Sequence, residues 1–429
     1  MNIWPPQDQV FWYLQRNGIK PCTTNIETEV AIIGGGMAGL TAAQRFMEKG
    51  KKVVLLEQYY CGAGATGKSS GFITPNAELS FSDFGERYDF ATAHKIWTFF
   101  SAGVEHIRNN IKTYSIECDY LPQNTLMLAN NKSTIKELQT EHENLKKYGY
   151  KTHFYPQKEI KNYINSNNYF GGVEYEDSFG IDGYLYCQGM KEILQKQGVI
   201  IFEETPVTSI DNHILKTQHA TITADSIIIC ADRFLPQLGF LTKEVYHAQT
   251  FLMISQSLSQ DEIALLYPHK NYLAWDTDLI YSYFRVARNN RLLLGGGSML
   301  TTLSSDEQHN YRPIIKKLTN YFKDKFPQVN VQFEYVWPGL IGLSKDTAPL
   351  AGRDKQKPYI YFISAVAGLP IAAALGTYSA EHIIEGRDDL DSYFSPYRSF
   401  FIGGFTQTLL GKKISFGISN LMSHYFPGL

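Results

Sequence analysis

One short segment constrains the fold of this chain more than any other, because it joins two apolar strands through spaced glycines. Residues 29–33 form an apolar run, and Gly34, Gly36 and Gly39 follow it in a G-x-G-x-x-G pattern. An amphipathic segment comes next, and a second apolar run then ends at Glu57. This order predicts a β-α-β unit with parallel strands and a dinucleotide-binding turn.

Each residue of the motif has a separate physical task in such a unit. Gly34 permits the tight turn, Gly36 lets the backbone approach a diphosphate, and Gly39 allows the helix to lie close to the strand. The helix N-terminus offers unpaired N–H groups to the phosphates. The Glu57 carboxylate can accept hydrogen bonds from the ribose hydroxyls. We therefore predict that a dinucleotide binds at this turn.

Composition argues against several other classes of protein. The chain has 429 residues, with 40 basic and 42 acidic side chains, and this near-neutral balance is not typical of nucleic-acid-binding proteins. Aromatic residues make up 14% of the chain, which argues against a disordered protein. The cysteines are scattered without a CxxC pair, which indicates reduced thiols and no metal site. Because the sequence shows neither a signal peptide nor an apolar run of membrane-spanning length, we expect a soluble cytoplasmic protein.

The rest of the chain alternates between two characters. Apolar strands and helices resembling the first unit return twice, whereas the stretch 245–297 is rich in strands and aromatic residues. We predict an α/β protein in which a Rossmann-like domain carries an inserted α+β substrate domain, built on a mostly antiparallel sheet. The predicted division is residues 1–90, 180–235 and 335–390 for the Rossmann-like domain, 91–179 and 236–334 for the substrate domain, and 391–429 for a C-terminal extension. The aromatic leader with Trp4 and Trp12 is expected to pack on the body of the protein.

A second glycine-rich segment has two interpretations. Residues 62–69 read G-A-G-A-T-G-K-S and match the phosphate-binding loop of P-loop NTPases. Such a loop must run directly from a strand into a helix, but residues 58–61 intervene before it and residues 70–75 are poorly suited to begin a helix. We favour a second loop near the cofactor, where Ser69 or Ser70 donates hydrogen bonds. A P-loop NTPase remains the alternative.

With these features the chain resembles the D-amino-acid-oxidase-like FAD-dependent oxidoreductases, and within them the gamma-glutamylputrescine oxidase and glycine oxidase branch. The fingerprint turn and the second glycine-rich loop carry part of the resemblance. Residues 336–352 carry another part, since they are similar to the family pattern W-x-G followed by D-x-x-P. Residues 283–297 add the Y-[YF]-R and R-L-L-x-G-G patterns. The resemblance spans about residues 25–390.

The resemblance implies that the Rossmann-like domain is an FAD-binding domain and that FAD is held without a covalent bond. It also implies oxidation of a C–N bond in a small amine or amino acid, by hydride transfer to flavin N5, to give an imine that hydrolyses. Oxygen or another acceptor would then reoxidise the flavin. We expect no nucleic-acid partner, and a homodimer is compatible with the sequence. The residues assigned to the cofactor are Gly34, Gly36, Met37, Ala38, Gly39, Glu57, Gln58, Gly64, Ala65, Thr66, Gly67, Lys68, Ser69, Ser70, Gly71, Val207, Ala231, Trp337, Gly339, Asp346, Gly368, Leu369 and Pro370.

Three residues on one predicted strand are the candidates for substrate recognition. A guanidinium group holds a carboxylate through two parallel hydrogen bonds, so Arg285 is the predicted anchor for a substrate carboxylate. The alternative role for Arg285 is a surface or interdomain salt bridge. Tyr281 and Tyr283 alternate along the same strand and are expected to close the amine pocket.

The chain departs from the family pattern at two places. The flavin loop that commonly reads S-G-H-G reads A-G-L-P at residues 367–370, so backbone amides must replace a polar side chain there. The strand ending at Cys230 is followed by Asp232, which we expect to be a helix N-cap. These departures keep two alternatives open, namely a flavoprotein of the same fold acting on a modified RNA base and one that has lost turnover.

Overall fold

The computed structural model describes residues 10–13, 20–278, 281–297 and 311–400, together with residues 409, 410, 414 and 418. The strands are β1 Ile26–Ile33, β2 Val53–Leu56, β3 Phe72–Ile73, β4 Leu121–Pro122, β5 Thr125–Leu128, β6 Thr152–Pro156, β7 Gly171–Tyr175, β8 Phe179–Gly180, β9 Ile200–Phe202, β10 Ser209–Asp211, β11 Ile214–Lys216, β12 Thr221–Ile229, β13 Tyr246–Ser257, β14 Leu273–Asp276, β15 Tyr283–Ala287, β16 Arg291–Gly296, β17 Phe333–Leu343, β18 Leu350–Arg353 and β19 Ile360–Ser364. The α-helices are α1 Met37–Glu48, α2 Ala65–Lys68, α3 Phe81–Arg87, α4 Phe90–Tyr114, α5 Thr134–Lys147, α6 Gln157–Ile160, α7 Gly183–Lys196, α8 Gln260–Leu266, α9 Arg312–Lys325, α10 Leu369–Glu385 and α11 Asp391–Phe394. Two 3-10 helices cover Asp232–Leu238 and Arg288–Asn290.

The first sheet has a parallel centre with the strand order β9-β2-β1-β12-β19. This is a Rossmann-type order, in which the first strand lies between the second strand and a later one. The hairpin β10-β11 and the strand β18 extend the sheet by antiparallel pairing. All of β2 is buried, because helices cover both faces of such a sheet. The predicted Rossmann-like fold is therefore confirmed.

Helix α10 packs on α1, and α4 packs on the start of α10, so these contacts fix the position of that start. A Cβ atom placed on Gly376 of α10 would lie 2.5 Å from the carbonyl oxygen of Ala38, so α10 lies directly against α1. A Cβ atom on Gly103 of α4 would lie 2.0 Å from the carbonyl oxygen of Pro370. The apolar face of α4 thus joins the core of the first sheet, although residues 91–179 were predicted to belong to the substrate domain.

The second sheet has the order β17-β13-β16-β15-β14-β5-β7-β6 and is antiparallel except between β14 and β5. Its own core contains Phe251, Phe284 and Phe322. The expectation of a mostly antiparallel sheet is confirmed. However, β17 pairs with β13 along its length, so residues 333–343 belong to the second sheet. Residues from 335 onward were predicted from the sequence to belong to the Rossmann-like domain, which contains the first sheet. The domain division otherwise stays a prediction.

The aromatic leader packs on the protein at the residues that the structure describes. Trp12 is buried, with its ring centroid 6.0 Å from that of Trp337. Tyr13 donates a hydrogen bond to the carbonyl oxygen of Ala63 at 2.7 Å. Trp4 and most of the extension predicted at 391–429 lie outside the described residues. Among the helices that the structure describes, none combines the length and the apolar character needed to span a bilayer.

Candidate cofactor and substrate cavity

A cavity of about 1730 Å³ is lined by residues of both sheets. From the first sheet it is lined by the fingerprint turn and β2, which we call its fingerprint end, and from the second sheet by aromatic residues of β14 and β15, which we call its far end. Most of the residues assigned to the cofactor from the sequence lie in its wall. These are Gly34, Gly36, Met37, Ala38, Glu57, Gln58, Gly64, Ala65, Thr66, Lys68, Ser69, Ser70, Val207, Ala231, Gly339, Gly368, Leu369 and Pro370. Their contact with FAD itself stays a prediction.

The fingerprint turn has room for main chain only. Gly34 has a φ angle of +108°, and a Cβ atom there would lie 2.4 Å from the carbonyl oxygen of Cys230. A Cβ atom on Gly39 would lie 1.9 Å from the carbonyl oxygen of Gly34. Gly39 therefore acts by close packing and does not line the cavity. Gly36 caps α1 without a side chain, so the helix N-terminus is open to an anion. These features fit the diphosphate of a dinucleotide.

Glu57 closes the same end of the cavity. Its carboxylate accepts hydrogen bonds from the amides of Gly35 at 2.7 Å and Tyr59 at 2.9 Å. Burial raises the pKa of Glu57, while these amide donors lower it in part. The carboxylate is thus fixed at the end of β2 and lines the cavity, where it can accept hydrogen bonds from ribose hydroxyls.

The second glycine-rich loop is held by hydrogen bonds to α1 and to β17. The amide of Met37 donates to Thr66 Oγ1 at 3.1 Å, which joins the loop to α1. Trp337 Nε1 donates to the carbonyl oxygen of Lys68 at 3.0 Å. A Cβ atom on Gly67 would lie 2.1 Å from the carbonyl oxygen of Gly62. Trp337 and Gly67 support the loop and are not among the residues that line the cavity, and their assignment to the cofactor stays a prediction. After one helical turn the chain enters β3 instead of a long helix, so the P-loop alternative is not supported.

Arg285 lies behind the same loop. Its side chain is buried, with Nε donating to the carbonyl oxygen of Ser70 and Nη2 to that of Ile181, both at 2.7 Å. Burial lowers the pKa of Arg285 to about 10, and the carboxylates of Asp182 and Asp119 oppose this shift. The guanidinium does not line the cavity. Two of its nitrogen atoms therefore hold backbone, while the buried Nη1 makes no hydrogen bond within the protein, and the role of Arg285 toward a substrate stays a prediction.

Gly71 ends the loop beside Arg285. A Cβ atom there would lie 1.8 Å from the carbonyl oxygen of Ile181 and 3.1 Å from Nη2 of Arg285. The amide of Ile181 donates to the Gly71 carbonyl at 2.9 Å. Gly71 therefore permits close backbone packing and is not among the residues that line the cavity, and its assignment to the cofactor stays a prediction.

Two acidic residues selected from the sequence join separate segments of the fold. Asp346 is buried and pairs with Arg87 and Arg398, each at 2.6 Å. Burial opposes its ionisation, but the two guanidinium groups lower the pKa of Asp346 well below its usual range. It joins α3 to the segment after α11 and is not among the residues that line the cavity, and its assignment to the cofactor stays a prediction.

Asp232 is the second acidic residue that joins separate segments. It adopts a φ angle of +44° inside a 3-10 helix that Ala231 precedes, so the predicted N-cap role is wrong. Its carboxylate accepts hydrogen bonds from the amides of Gly342 at 2.8 Å and Ala365 at 2.9 Å. Asp232 thus ties β17 of the second sheet to the loop after β19 of the first.

The far end of the cavity is aromatic and acidic. Tyr281 and Tyr283, both selected from the sequence, lie in its wall together with Phe72, Trp275 and Glu78. Tyr281 donates to Glu78 Oε1 at 2.8 Å. Sequence reasoning missed the last three residues. Phe72 directly follows the second loop and Trp275 lies on the strand paired with Tyr283, but Glu78 lies in an irregular segment with no signal.

The loop that departs from the family pattern begins α10. Gly368 precedes the helix with a φ angle of +132°, and Leu369 and Pro370 line the cavity. Proline is tolerated in a first helical turn, where N–H groups have no intrahelical partner. The amides of this turn therefore remain the available donors in place of a polar side chain.

Comparison with known proteins agrees with this geometry. The family model described as DAO, FAD dependent oxidoreductase, matches residues 29–382. Probable oxidoreductase OrdL of Haemophilus influenzae is 28% identical over 391 residues, which cover 87% of each chain. Gamma-glutamylputrescine oxidoreductase of Escherichia coli is 28% identical over 354 residues, which cover 80% of each chain.

A solved structure shares the fold. Glycine oxidase from Geobacillus kaustophilus superposes with a TM-score of 0.75 at 17% identity, covering 88% of this chain and 100% of that one. The family match includes the fingerprint turn, both sheets and most of α10. This protein therefore belongs to the DAO family of FAD-dependent oxidoreductases.

Proposed function

We propose that this protein oxidises the C–N bond of a small amine or amino acid with FAD held in the cavity. The observation that carries the proposal is one continuous cavity, which joins a dinucleotide cradle to an aromatic chamber. FAD bound in the cradle supplies the two-electron acceptor for such a reaction. Relatives named for gamma-glutamylputrescine and for glycine support a substrate that contains an amine.

The chain's own contribution is to enclose the substrate and manage its proton. An amine must lose its extra proton before a C–H bond beside it can be oxidised. Asp276 lines the chamber, and burial raises its pKa to about 6, against the hydrogen bond from Tyr321 at 2.6 Å. A carboxyl group with that pKa can exchange a proton near neutral pH. The imine product would leave the cavity and hydrolyse in water.

An anaerobic reduction experiment tests the proposal. The purified protein is expected to be yellow, to release its flavin on heating, and to be bleached by at least one member of a panel of amines and amino acids. Gly39→Ala, which we expect not to retain FAD, controls for contaminating oxidases. A yellow protein that no amine or amino acid bleaches would contradict the proposed reaction. Reoxidation with oxygen, compared with an artificial dye acceptor, then identifies the electron acceptor.

The location of the protein remains part of the proposal. All five cysteines are free thiols, and Cys22, Cys61, Cys118 and Cys187 are buried. Burial also raises the pKa of the Cys61 thiol, which makes it a poor nucleophile. This supports non-covalent FAD and a reducing compartment such as the cytoplasm. A homodimer stays a prediction that light scattering would test.

A further inference from the structure

Four aromatic side chains form a cage in the wall of the cavity, at the end away from the fingerprint turn. The cage consists of Phe72, Trp275, Tyr281 and Tyr283. The ring centroid of Phe72 lies 6.1 Å from those of both Trp275 and Tyr283, and the rings of Tyr281 and Tyr283 are 5.9 Å apart. Several aromatic faces around one space attract a cation, because each ring carries negative charge on its face.

The cage is held in place by main-chain and side-chain contacts. Trp275 and Tyr283 are directly paired across β14 and β15. A Cβ atom on Gly295 would lie 2.2 Å from the Tyr283 ring, so this glycine makes room for the ring. The Tyr283 hydroxyl lies 3.0 Å from Thr250 Oγ1, which itself donates to the carbonyl oxygen of Gly296 at 3.2 Å. The rings are therefore positioned before any substrate arrives.

The charges near the cage also favour a cation. Glu78 lies at the cage and accepts a hydrogen bond from Tyr281 at 2.8 Å. The cavity is also lined by Lys68, Arg87, Lys136 and Arg233, of which Arg87 pairs with Asp346 at 2.6 Å, while Asp276 and Asp278 line it directly after Trp275 in the chain. Arg285, the guanidinium expected for a carboxylate, is turned to backbone carbonyls behind the loop. A substrate carboxylate would meet Glu78 at the cage, whereas an ammonium group would be stabilised there.

The chemistry of the reaction decides which nitrogen the cage can hold. The nitrogen that is oxidised must be neutral, whereas a cage with a carboxylate keeps a nitrogen protonated. We propose that the cage binds a second, non-reacting ammonium group, so that the preferred substrate is a diamine and not a free amino acid. This inference rests on the proposed oxidation of amines.

A matched pair of substrates tests the cage. Diaminobutane and butylamine have the same carbon chain and differ in the second nitrogen. We expect kcat/KM for diaminobutane to exceed that for butylamine by about tenfold or more, the size of a desolvated cation–π contact. Trp275→Leu and Glu78→Gln should reduce this preference to about threefold or less, through KM, with the flavin spectrum unchanged. Because Glu78→Gln removes a charge with almost no change in side-chain size, this variant keeps the test valid even where Trp275→Leu disturbs folding.

A non-reacting probe gives a second measurement. Tetramethylammonium has no nitrogen lone pair and cannot be oxidised to an imine. Calorimetry on the FAD-loaded protein should show binding that competes with diaminobutane and weakens about tenfold or more in Trp275→Leu. Glu176→Gln removes the same charge from a surface residue that pairs with His153, and Tyr163→Leu removes a ring that packs on Tyr155 away from the cavity. Both control variants should bind the probe as the parent protein does.

The outcomes separate the cage from the reaction. If butylamine is oxidised as well as diaminobutane and tetramethylammonium does not bind, the cage proposal is overturned, while flavin reduction still supports amine oxidation. If no amine or amino acid reduces the flavin, but tetramethylammonium binds and Trp275→Leu weakens it, the proposed oxidation fails and the cation site stands.

Discussion

The two ends of the cavity are lined by different chemical groups, main chain at the fingerprint end and aromatic side chains at the far end. At the fingerprint end, Gly34 and Gly36 present main chain, and any side chain at Gly34 would collide with the next strand. At the far end, Phe72, Trp275 and Tyr281 present large rings from two separate parts of the chain. An anionic cofactor is met by backbone N–H groups, which need no charged residue. In the proposed reaction the substrate is met by side chains, so substitutions at that end can change its chemistry while the cofactor end stays the same.

The largest expected effect breaks the fingerprint end. In Gly39→Ala the new methyl group would lie 1.9 Å from the Gly34 carbonyl oxygen and must push α1 from the strand. Overpacking of this kind costs about 3 kcal/mol, which corresponds to a loss of about a hundredfold in FAD affinity. Titration of the apoprotein with FAD measures it. Gly149→Ala, at a φ of +83° with open space around it, should keep FAD. Unchanged affinity in Gly39→Ala would show that close packing there is not needed.

A second prediction concerns Asp346, a motif residue that serves neither end. Asp346→Asn leaves Arg87 and Arg398 without their buried partner, and we expect a loss of about 3 kcal/mol in the free energy of unfolding. The parent protein should show the matching pH dependence. Since the pKa of Asp346 is lowered in the folded state, its stabilisation is present above about pH 4 and is lost as the pH falls below that value.

Thermal unfolding of the FAD-loaded parent and of Asp346→Asn between neutral and acid pH measures this contribution. The difference in Tm between the two proteins should shrink as the pH falls. A constant difference would mean that the ion pairs are not its source. Loss of FAD without loss of stability would instead support the cofactor role first inferred from the motif.

The third prediction tests whether Arg285 serves the cofactor end or the substrate end of the cavity. Arg285→Met removes one charge-assisted hydrogen bond to Ser70 of the second glycine-rich loop and another to Ile181 beside it, which should weaken FAD binding by about 2 kcal/mol. KM for an amine substrate should stay the same. Arg291→Met is the control, since Arg291 is a partly exposed neighbour that donates to the carbonyl oxygen of Ser255. A raised KM with normal FAD affinity would restore Arg285 as a substrate anchor.

The smallest expected effect is confined to the far end. In Gly295→Ala the added methyl group would lie 2.2 Å from the Tyr283 ring and must displace it. We expect KM for the amine substrate to rise by about tenfold, equivalent to about 1.4 kcal/mol, with FAD still bound. Steady-state kinetics with the flavin spectrum as a reference measures both. A change in FAD affinity of the same size would show that the two ends are coupled.

Motif reading succeeded where the chemistry is local. Gly34, Gly36 and Glu57 lie where their spacing predicts, because one β-α-β unit places them. It is less informative where a motif residue makes its contacts with other parts of the protein. Trp337 and Asp346 match the family pattern, yet one supports a loop and the other pairs with arginines far away in the chain. A residue that matches a family motif can therefore serve a contact within the protein that does not reach the ligand.

The sequence by itself determined the Rossmann-type sheet, the position of the dinucleotide turn and the family. These depend on hydrophobic periodicity and on glycines within one short segment. Only the tertiary structure decided that Arg285 turns away from the cavity and that Glu78 joins the aromatic cage. The direction of a guanidinium depends on which carbonyl groups the fold brings within reach. The composition of the cage likewise depends on side-chain contacts between residues 72–78 and the distant hairpin β14-β15, which no local pattern records.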